Sequence, residues 1–246
     1  MNNFRLKEKS HALFSLISIS KNKVISKELA VIGNLKKSQG GNFAVDVLEI
    51  GPGNRNLEHL RYGSNSFKVN LTLIDANPIR VTKSTSKNLK IKLVRGTVPK
   101  VLRQFKDKSF DLVVLSHVIE HLKKEEGYIL MYELDRITKF VSLISTPNGF
   151  SWQTPIDKDK KRDQFNAHLS GWTPRELNQC GYYEQFGEVG PKLVFGPGAG
   201  SKFHLPRFFQ QILGACYPLF QRIPNFCFAF TAIKRHRFDS NDFLRL

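Results

Sequence analysis

The sequence predicts an α/β protein: a doubly wound, mostly parallel seven-stranded sheet, with N-terminal helices and a helical insertion before the last strand. Two observations predict it. Short apolar runs recur between segments of helical spacing, the pattern of buried parallel strands joined by crossover helices. The first two runs end in Gly51-Pro-Gly53 and in Asp75, so both finish in turns at the edge where open α/β sheets bind ligands.

The elements follow in order. Residues 1 to about 40 mix Lys with apolar positions at Leu13, Phe14, Leu16, Ile17, Val24, Ile25, Leu29 and Ile32, spacing that suits one or two amphipathic helices. Ser38 to Asn42 breaks that pattern, and Val45 to Ile50 is a short apolar run entering the tight turn. Leu57 to Tyr62 can begin a helix. Val69 to Ile74 is a second strand, followed by Asp75-Ala-Asn-Pro78, where Pro78 suits the first turn of another helix. Ile91 to Val94, Phe110 to Leu115 and Phe140 to Ser145 are further strands, and Ile119 to Leu134 carries helical spacing. Thr173-Pro-Arg-Glu176 reads as a helix start, with Thr173 as cap, Pro174 in the first position and Glu176 three residues on. Phe226 to Ile233 is the final strand. The boundaries that result are an N-terminal helical extension (1–42), a main domain (43–234) and a tail (235–246).

The bulk properties bound the function classes. Hydrophobic residues at 41% supply a core, and 24% charged residues match an ordinary globular chain rather than a disordered one. Lys plus Arg outnumber Asp plus Glu 38 to 21, a net charge of +17, which favours anionic neighbours and also fits a general bias toward Lys. Three scattered cysteines show neither zinc spacing nor a disulfide framework, so no metal is expected and a reducing cytoplasm is. No uncharged apolar run reaches the roughly 18 residues of a spanning helix.

The turn and its carboxylates carry the chemistry. A glycine pair past the first strand lets backbone approach a ligand, but it does not choose among nucleotides. A dinucleotide site wants a third glycine at position 56, where this chain has Asn56. Asp75, about twenty residues on, is placed to accept from both ribose hydroxyls, although a turn aspartate before Asn-Pro is common in itself. Glu49 lies inside an apolar strand, where a carboxylate needs partners; turn amides or a cofactor's ammonium group could supply them.

Three segments then resemble a known family. Val47-Leu-Glu-Ile-Gly-Pro-Gly53, Leu73-Ile-Asp-Ala-Asn77 and Phe110-Asp-Leu-Val-Val-Leu-Ser-His-Val-Ile-Glu-His-Leu122 are similar, in order and spacing, to class I S-adenosylmethionine-dependent methyltransferases of the UbiE-like broad group. Thr146-Pro-Asn-Gly149 and His168-Leu-Ser-Gly-Trp172 resemble a bacterial subset of it, and the likeness covers roughly residues 43 to 185. The resemblance implies the Rossmann-like methyltransferase fold and S-adenosyl-L-methionine as cofactor. It puts Gly51 and Gly53 against the methionyl part, Asp75 with Ala76 at the ribose, and Ser116 and His117 beside the transferable methyl. Glu49, Thr97 and Val98 complete the implied cofactor set. This chain departs from the family at Arg55, usually a small residue, and at Gly96-Thr97-Val98, where the third strand usually ends in Asp.

Methyl transfer from a sulfonium is an in-line displacement helped by positioning, and an oxygen nucleophile also needs a base. His121, His168 and His117 are the candidates, of which His121 and His168 are preferred. His117 and His121 are four apart and would share a face of a helix starting just after Ser116. The expected acceptor is a hydroxyl of a small molecule, a glycan or a lipid-linked compound. A nucleic acid ranks below it, because the basic run from Arg80 to Lys108 has only Phe105 as a stacking platform. A catalytically inactive binding module is a further alternative. The apolar segment 203–222, with Arg207 and Arg222 at its edges, suits peripheral contact at the inner face of a membrane, or packing on the sheet or a partner subunit.

Overall fold

A computed structural model describes residues 21–40, 43–53, 66–77, 86–151, 165, 167–188 and 222–236. Arg55, Asn56, the start of a helix at Leu57, Pro78 and the segment 203–221 lie outside the described residues.

Seven strands form one sheet: β1 (Ala44–Ile50), β2 (Lys68–Asp75), β3 (Leu89–Arg95), β4 (Phe110–Ser116), β5 (Thr138–Pro147), β6 (Glu184–Gly187) and β7 (Ala229–Arg235). Their order is β3-β2-β1-β4-β5-β7-β6. The first five are mutually parallel, and β7 runs antiparallel to both β5 and β6. The order reverses between β1 and β4. Open α/β sheets bind ligands beyond the carboxyl ends of the strands at such a reversal.

The apolar runs are explained by coverage on both faces. Helix α1, helical from 21 to 38 among the described residues, lays Ile25, Leu29, Ile32 and Leu35 on Val45, Val47, Leu112, Val114 and Leu143. The opposite face carries α2 (Lys124–Ile137) and α3 (Pro174–Gln179), with Leu130, Leu134, Trp172 and Leu177 packed on Leu48, Ile50, Val113, Leu115 and Ile144. Side chains alternate across a strand, so β1 and β4 are apolar at nearly every position. The edge strand β3 differs. Its sequence Leu-Lys-Ile-Lys-Leu-Val-Arg leaves Lys90, Lys92 and Arg95 exposed, in keeping with a charged sheet edge. Helix α3 starts as expected: Thr173 Oγ1 accepts from the Glu176 amide at 3.2 Å, and Glu176 accepts from the Thr173 amide at 2.9 Å. No described helix is long and apolar enough to cross a membrane.

One expectation is corrected. No helix begins just after Ser116. His117 takes a left-handed conformation (φ 52°), a 3-10 turn spans Ile119–His121, and α2 begins only at Lys124. The apolar spacing of Ile119 to Leu134 is real, but Leu122 is extended and separates the turn from the helix. His117 and His121 therefore do not share a helix face.

Candidate active site

Alternation assigns the polar residues at the carboxyl edge to the two faces. Glu49 follows Val45 and Val47, and Ser116 follows Leu112 and Val114, so both lie on the α1 side. There Lys21 of α1, 2% exposed, donates to Ser116 Oγ at 3.0 Å, and Ser116 donates to Glu49 Oε1 at 3.3 Å. On the same face Glu188, just past β6, accepts from Ser145 Oγ at 2.5 Å and from Thr231.

Glu120 occupies the other face, buried to 2% exposure, where its Oε2 accepts from Thr146 Oγ1 at 3.1 Å. His117 joins the faces across the end of the sheet. Its Nδ1 lies 3.2 Å from Glu120 Oε1 and its Nε2 lies 3.7 Å from Glu188 Oε2. Burial opposes a charge on this ring, but the contacts with Glu120 and Glu188 outweigh it and raise the His117 pKa above the ordinary value. Burial likewise opposes ionisation of both carboxyls. His117 holds Glu120 below the usual carboxylate range, and His117 with Lys21 and Ser145 does the same for Glu188. The left-handed backbone at His117, fixed by its amide bond to the Ser145 carbonyl at 2.9 Å, aims the ring between the two.

The turn Ile119–His121 is stapled to the loop 167–172. The Glu120 carbonyl accepts from the amides of Leu169 (2.8 Å) and Ser170 (3.1 Å). The Ile119 carbonyl accepts from Ser170 Oγ at 3.2 Å and Trp172 Nε1 at 3.3 Å. This brings His121 and His168 together, ring centroids 5.0 Å apart and edge to face. His121 Nδ1 faces the Ala167 carbonyl at 3.1 Å, and His168 Nδ1 faces the Ser151 carbonyl at 2.6 Å. A carbonyl only accepts, so each Nδ1 carries the hydrogen and each Nε2 keeps its lone pair. Burial lowers the His168 pKa despite the attraction of Glu120, which favours the neutral ring.

At the β1–β2 end, Gly51 has φ 74° and its amide bonds the Ile74 carbonyl at 2.9 Å. A Cβ on Gly51 would lie 2.2 Å from Val118 Cγ2 and 2.7 Å from the Ser116 carbonyl oxygen, so this glycine lets the turn after β1 touch the turn after β4. Gly53 (φ 61°) has nothing within 4 Å of that position among the described residues. Asp75 ends β2, and its carboxylate accepts from the amides of Gly53 at 3.2 Å and Asn77 at 2.9 Å.

Residues 48–141 match the family model described as a methyltransferase domain. With the sheet order and the glycine turn, this match identifies residues 48–141 as a methyltransferase domain. In structure the chain is similar to a SAM dependent methyltransferase from Archaeoglobus fulgidus, at 18% identity over 85% of this chain and 94% of that one, with a TM-score of 0.44. It is also similar to Haemonchus contortus phosphoethanolamine N-methyltransferase 2 in complex with S-adenosyl-L-methionine, at 14% identity over 86% of this chain and 53% of that one, with a TM-score of 0.38. No curated protein matches the sequence.

Within the methyltransferase domain, the sequence-predicted residues fall in two groups. Glu49, Gly51, Ser116 and His117 meet where β1 and β4 end, with Gly53, Asp75 and Ala76 flanking them at the end of β2. Thr97 is exposed beyond β3, and Val98 is half-buried against the core. Two residues of the site escaped the sequence. Lys21 looks like one more lysine of an amphipathic helix, and Glu188 like a charge beside an edge strand. Neither has a local pattern that marks it; the pairing of β5 with β7 and β6 brings Glu188 in.

Proposed function

We propose that the domain transfers the methyl group of S-adenosylmethionine to a hydroxyl of a small-molecule, glycan or lipid-linked acceptor. The observation that carries this reading is the histidine pair beside the Ser116–His117 turn. His121 and His168 each commit Nδ1 to a carbonyl and keep an Nε2 lone pair for an acceptor's proton.

The residues fit the cofactor. Asp75 uses two of its roughly four lone-pair sites on Gly53 and Asn77, leaving others for ribose hydroxyls. The open space at Gly53 admits a ligand against backbone. Glu49, Glu120 and Glu188 place carboxylates around the region where a sulfonium and an ammonium group would lie. Thr97 and Val98 take the adenine side, and Ala76 the ribose side. When bound, the cofactor supplies an electrophilic methyl. His121 or His168 would take the proton of the acceptor hydroxyl as that methyl is transferred. His117, held between Glu120 and Glu188, positions the end of β4 rather than acting as base.

Calorimetry with S-adenosylmethionine tests the cofactor assignment. Binding is expected for the intact chain, and Asp75→Ala is expected to weaken it by about tenfold or more, the loss of a hydrogen-bonded anionic contact. No heat of binding from folded protein would sink the reading. Incubation with labelled cofactor and a cell extract identifies the acceptor. The exposed row Lys90, Lys92 and Arg95 favours a second reading, a nucleic-acid acceptor at the sheet edge; RNA binding that falls steeply with salt would support it.

A further inference from the structure

We infer that Glu120, His121 and His168 form a binding site for one first-row divalent transition-metal ion, with zinc the preferred occupant, at the acceptor end of the domain. One nitrogen from each histidine and one oxygen of Glu120 lie within 4.8 Å of one another. The nitrogen each ring has left to offer is Nε2, because Nδ1 is bonded to the carbonyl of Ala167 or Ser151. A backbone carbonyl on the far nitrogen is the arrangement that orients a metal-binding imidazole and fixes its tautomer. Glu120 is oriented in the same way, by His117 on one oxygen and Thr146 on the other.

Three side chains that can each offer an acceptor atom thus lie close together. A hydroxyl proton satisfies one of them; a cation satisfies all three. The frame that holds them is stiff, since the Glu120 carbonyl binds the amides of Leu169 and Ser170 and so ties the turn carrying His121 to the segment carrying His168. Donors around a zinc ion sit ~2.1 Å from the metal and so ~3.4 Å from each other in a tetrahedron, which the trio reaches by small side-chain rotations. Two imidazoles and one carboxylate suit zinc and its first-row neighbours better than magnesium or calcium, which prefer oxygen. Three protein ligands leave a position for an acceptor oxygen, whose proton a bound cation makes easier to lose. Ion binding at this trio does not depend on the methyl-transfer reading, although it would refine the part that His121 and His168 play in it.

The test uses the untagged full chain after chelator treatment, dialysed separately against zinc, manganese and magnesium ions, with the retained metal measured by elemental analysis. About one equivalent of zinc per chain is expected, with magnesium retained far more weakly. His121→Gln and His168→Gln are each expected to weaken zinc binding by about tenfold or more, while S-adenosylmethionine titration reports that each variant still folds. Asp75→Ala is expected to weaken cofactor binding and keep the zinc, which separates failure of the ion site from failure of the cofactor reading. No zinc retained by the wild-type chain, retention unchanged in both histidine variants, or magnesium held as tightly as zinc would each overturn the inference.

Discussion

At the residue scale the two glycines of the first turn have different jobs, and stability and affinity separate them. Gly51 combines a positive φ with a close approach, since its Cβ position lies 2.2 Å from Val118 and 2.7 Å from the Ser116 carbonyl oxygen. Left-handed backbone costs a non-glycine residue about 1–2 kcal/mol and overpacking about 1–3 kcal/mol more, so Gly51→Ala is expected to destabilise by about 2–5 kcal/mol. Gly53→Ala meets no described neighbour and carries only the backbone cost, about 1–2 kcal/mol, while its methyl enters the side of the turn proposed to face the cofactor. Urea denaturation should rank Gly51→Ala as the less stable variant, and cofactor titration should rank Gly53→Ala as the weaker binder relative to its stability. The turn and Asp75 were legible because the residues that make them are adjacent in the chain and constrained by local geometry. Lys21 was not, because its partner Ser116 lies 95 positions away and only the packing of α1 joins them.

At the element scale, helix α2 and the loop that carries His168 meet at Trp172, against which Gly127, Tyr128 and Lys124 all pack. A Cβ on Gly127 would stand 2.3 Å from Trp172 Cζ2, and the Trp172 ring is fully buried with its indole donating to Ser170 Oγ at 2.9 Å. Alanine in mid-helix gains about 1 kcal/mol in propensity over glycine. Displacing a rigid, hydrogen-bonded ring costs about 1–3 kcal/mol, so Gly127→Ala is expected to lower the melting temperature rather than raise it; a rise would show that Trp172 has room to shift. The same region shows where sequence patterning stops. Apolar spacing from Ile119 to Leu134 reads as one helix, but the Ile119 carbonyl bonds Leu122 in a 3-10 turn and also Ser170 and Trp172, and the Glu120 carbonyl bonds Leu169 and Ser170, so neither enters the α-helical ladder. Periodicity sees the core side chains and is blind to backbone committed elsewhere. The capping pattern Thr173-Pro-Arg-Glu176 was read correctly because every bond in it is local.

For the whole molecule, the two ends of the described chain are tied together, and the ties are ionisable. Arg235 at the end of β7 donates to both oxygens of Glu28 in α1 (2.7 and 2.9 Å) and to both oxygens of Glu184 in β6 (2.6 and 3.2 Å). Glu28 is 3% exposed and Glu184 46%, so Arg235→Ala strands one buried carboxylate and one solvated one. Stranding a buried partner costs about 3–5 kcal/mol, discounted here to about 2–3 because Arg235 is itself partly exposed, whereas Glu184→Ala should cost under about 1 kcal/mol in a denaturant series. His236 follows at once, and contributes to acid sensitivity. Burial depresses its pKa from 6.5 to about 4, against the pull of Asp135 and with the charges of Lys108 and Lys234 adding to the depression. Its Nε2 sits 3.1 Å from Ser142 Oγ. Between about pH 6.5 and 4 the unfolded chain binds a proton that the folded chain refuses, so stability falls as the pH is lowered through that window, by about 2–3 kcal/mol from this group. Above pH 6.5 the ring is neutral in both states and contributes no slope. His236→Gln keeps a hydrogen-bonding partner for Ser142 and removes the titration. Comparing unfolding free energies at pH 7 and about pH 4.5, the variant should lose less stability than the wild-type chain by about 2 kcal/mol; equal losses would mean that the acid sensitivity comes from other groups.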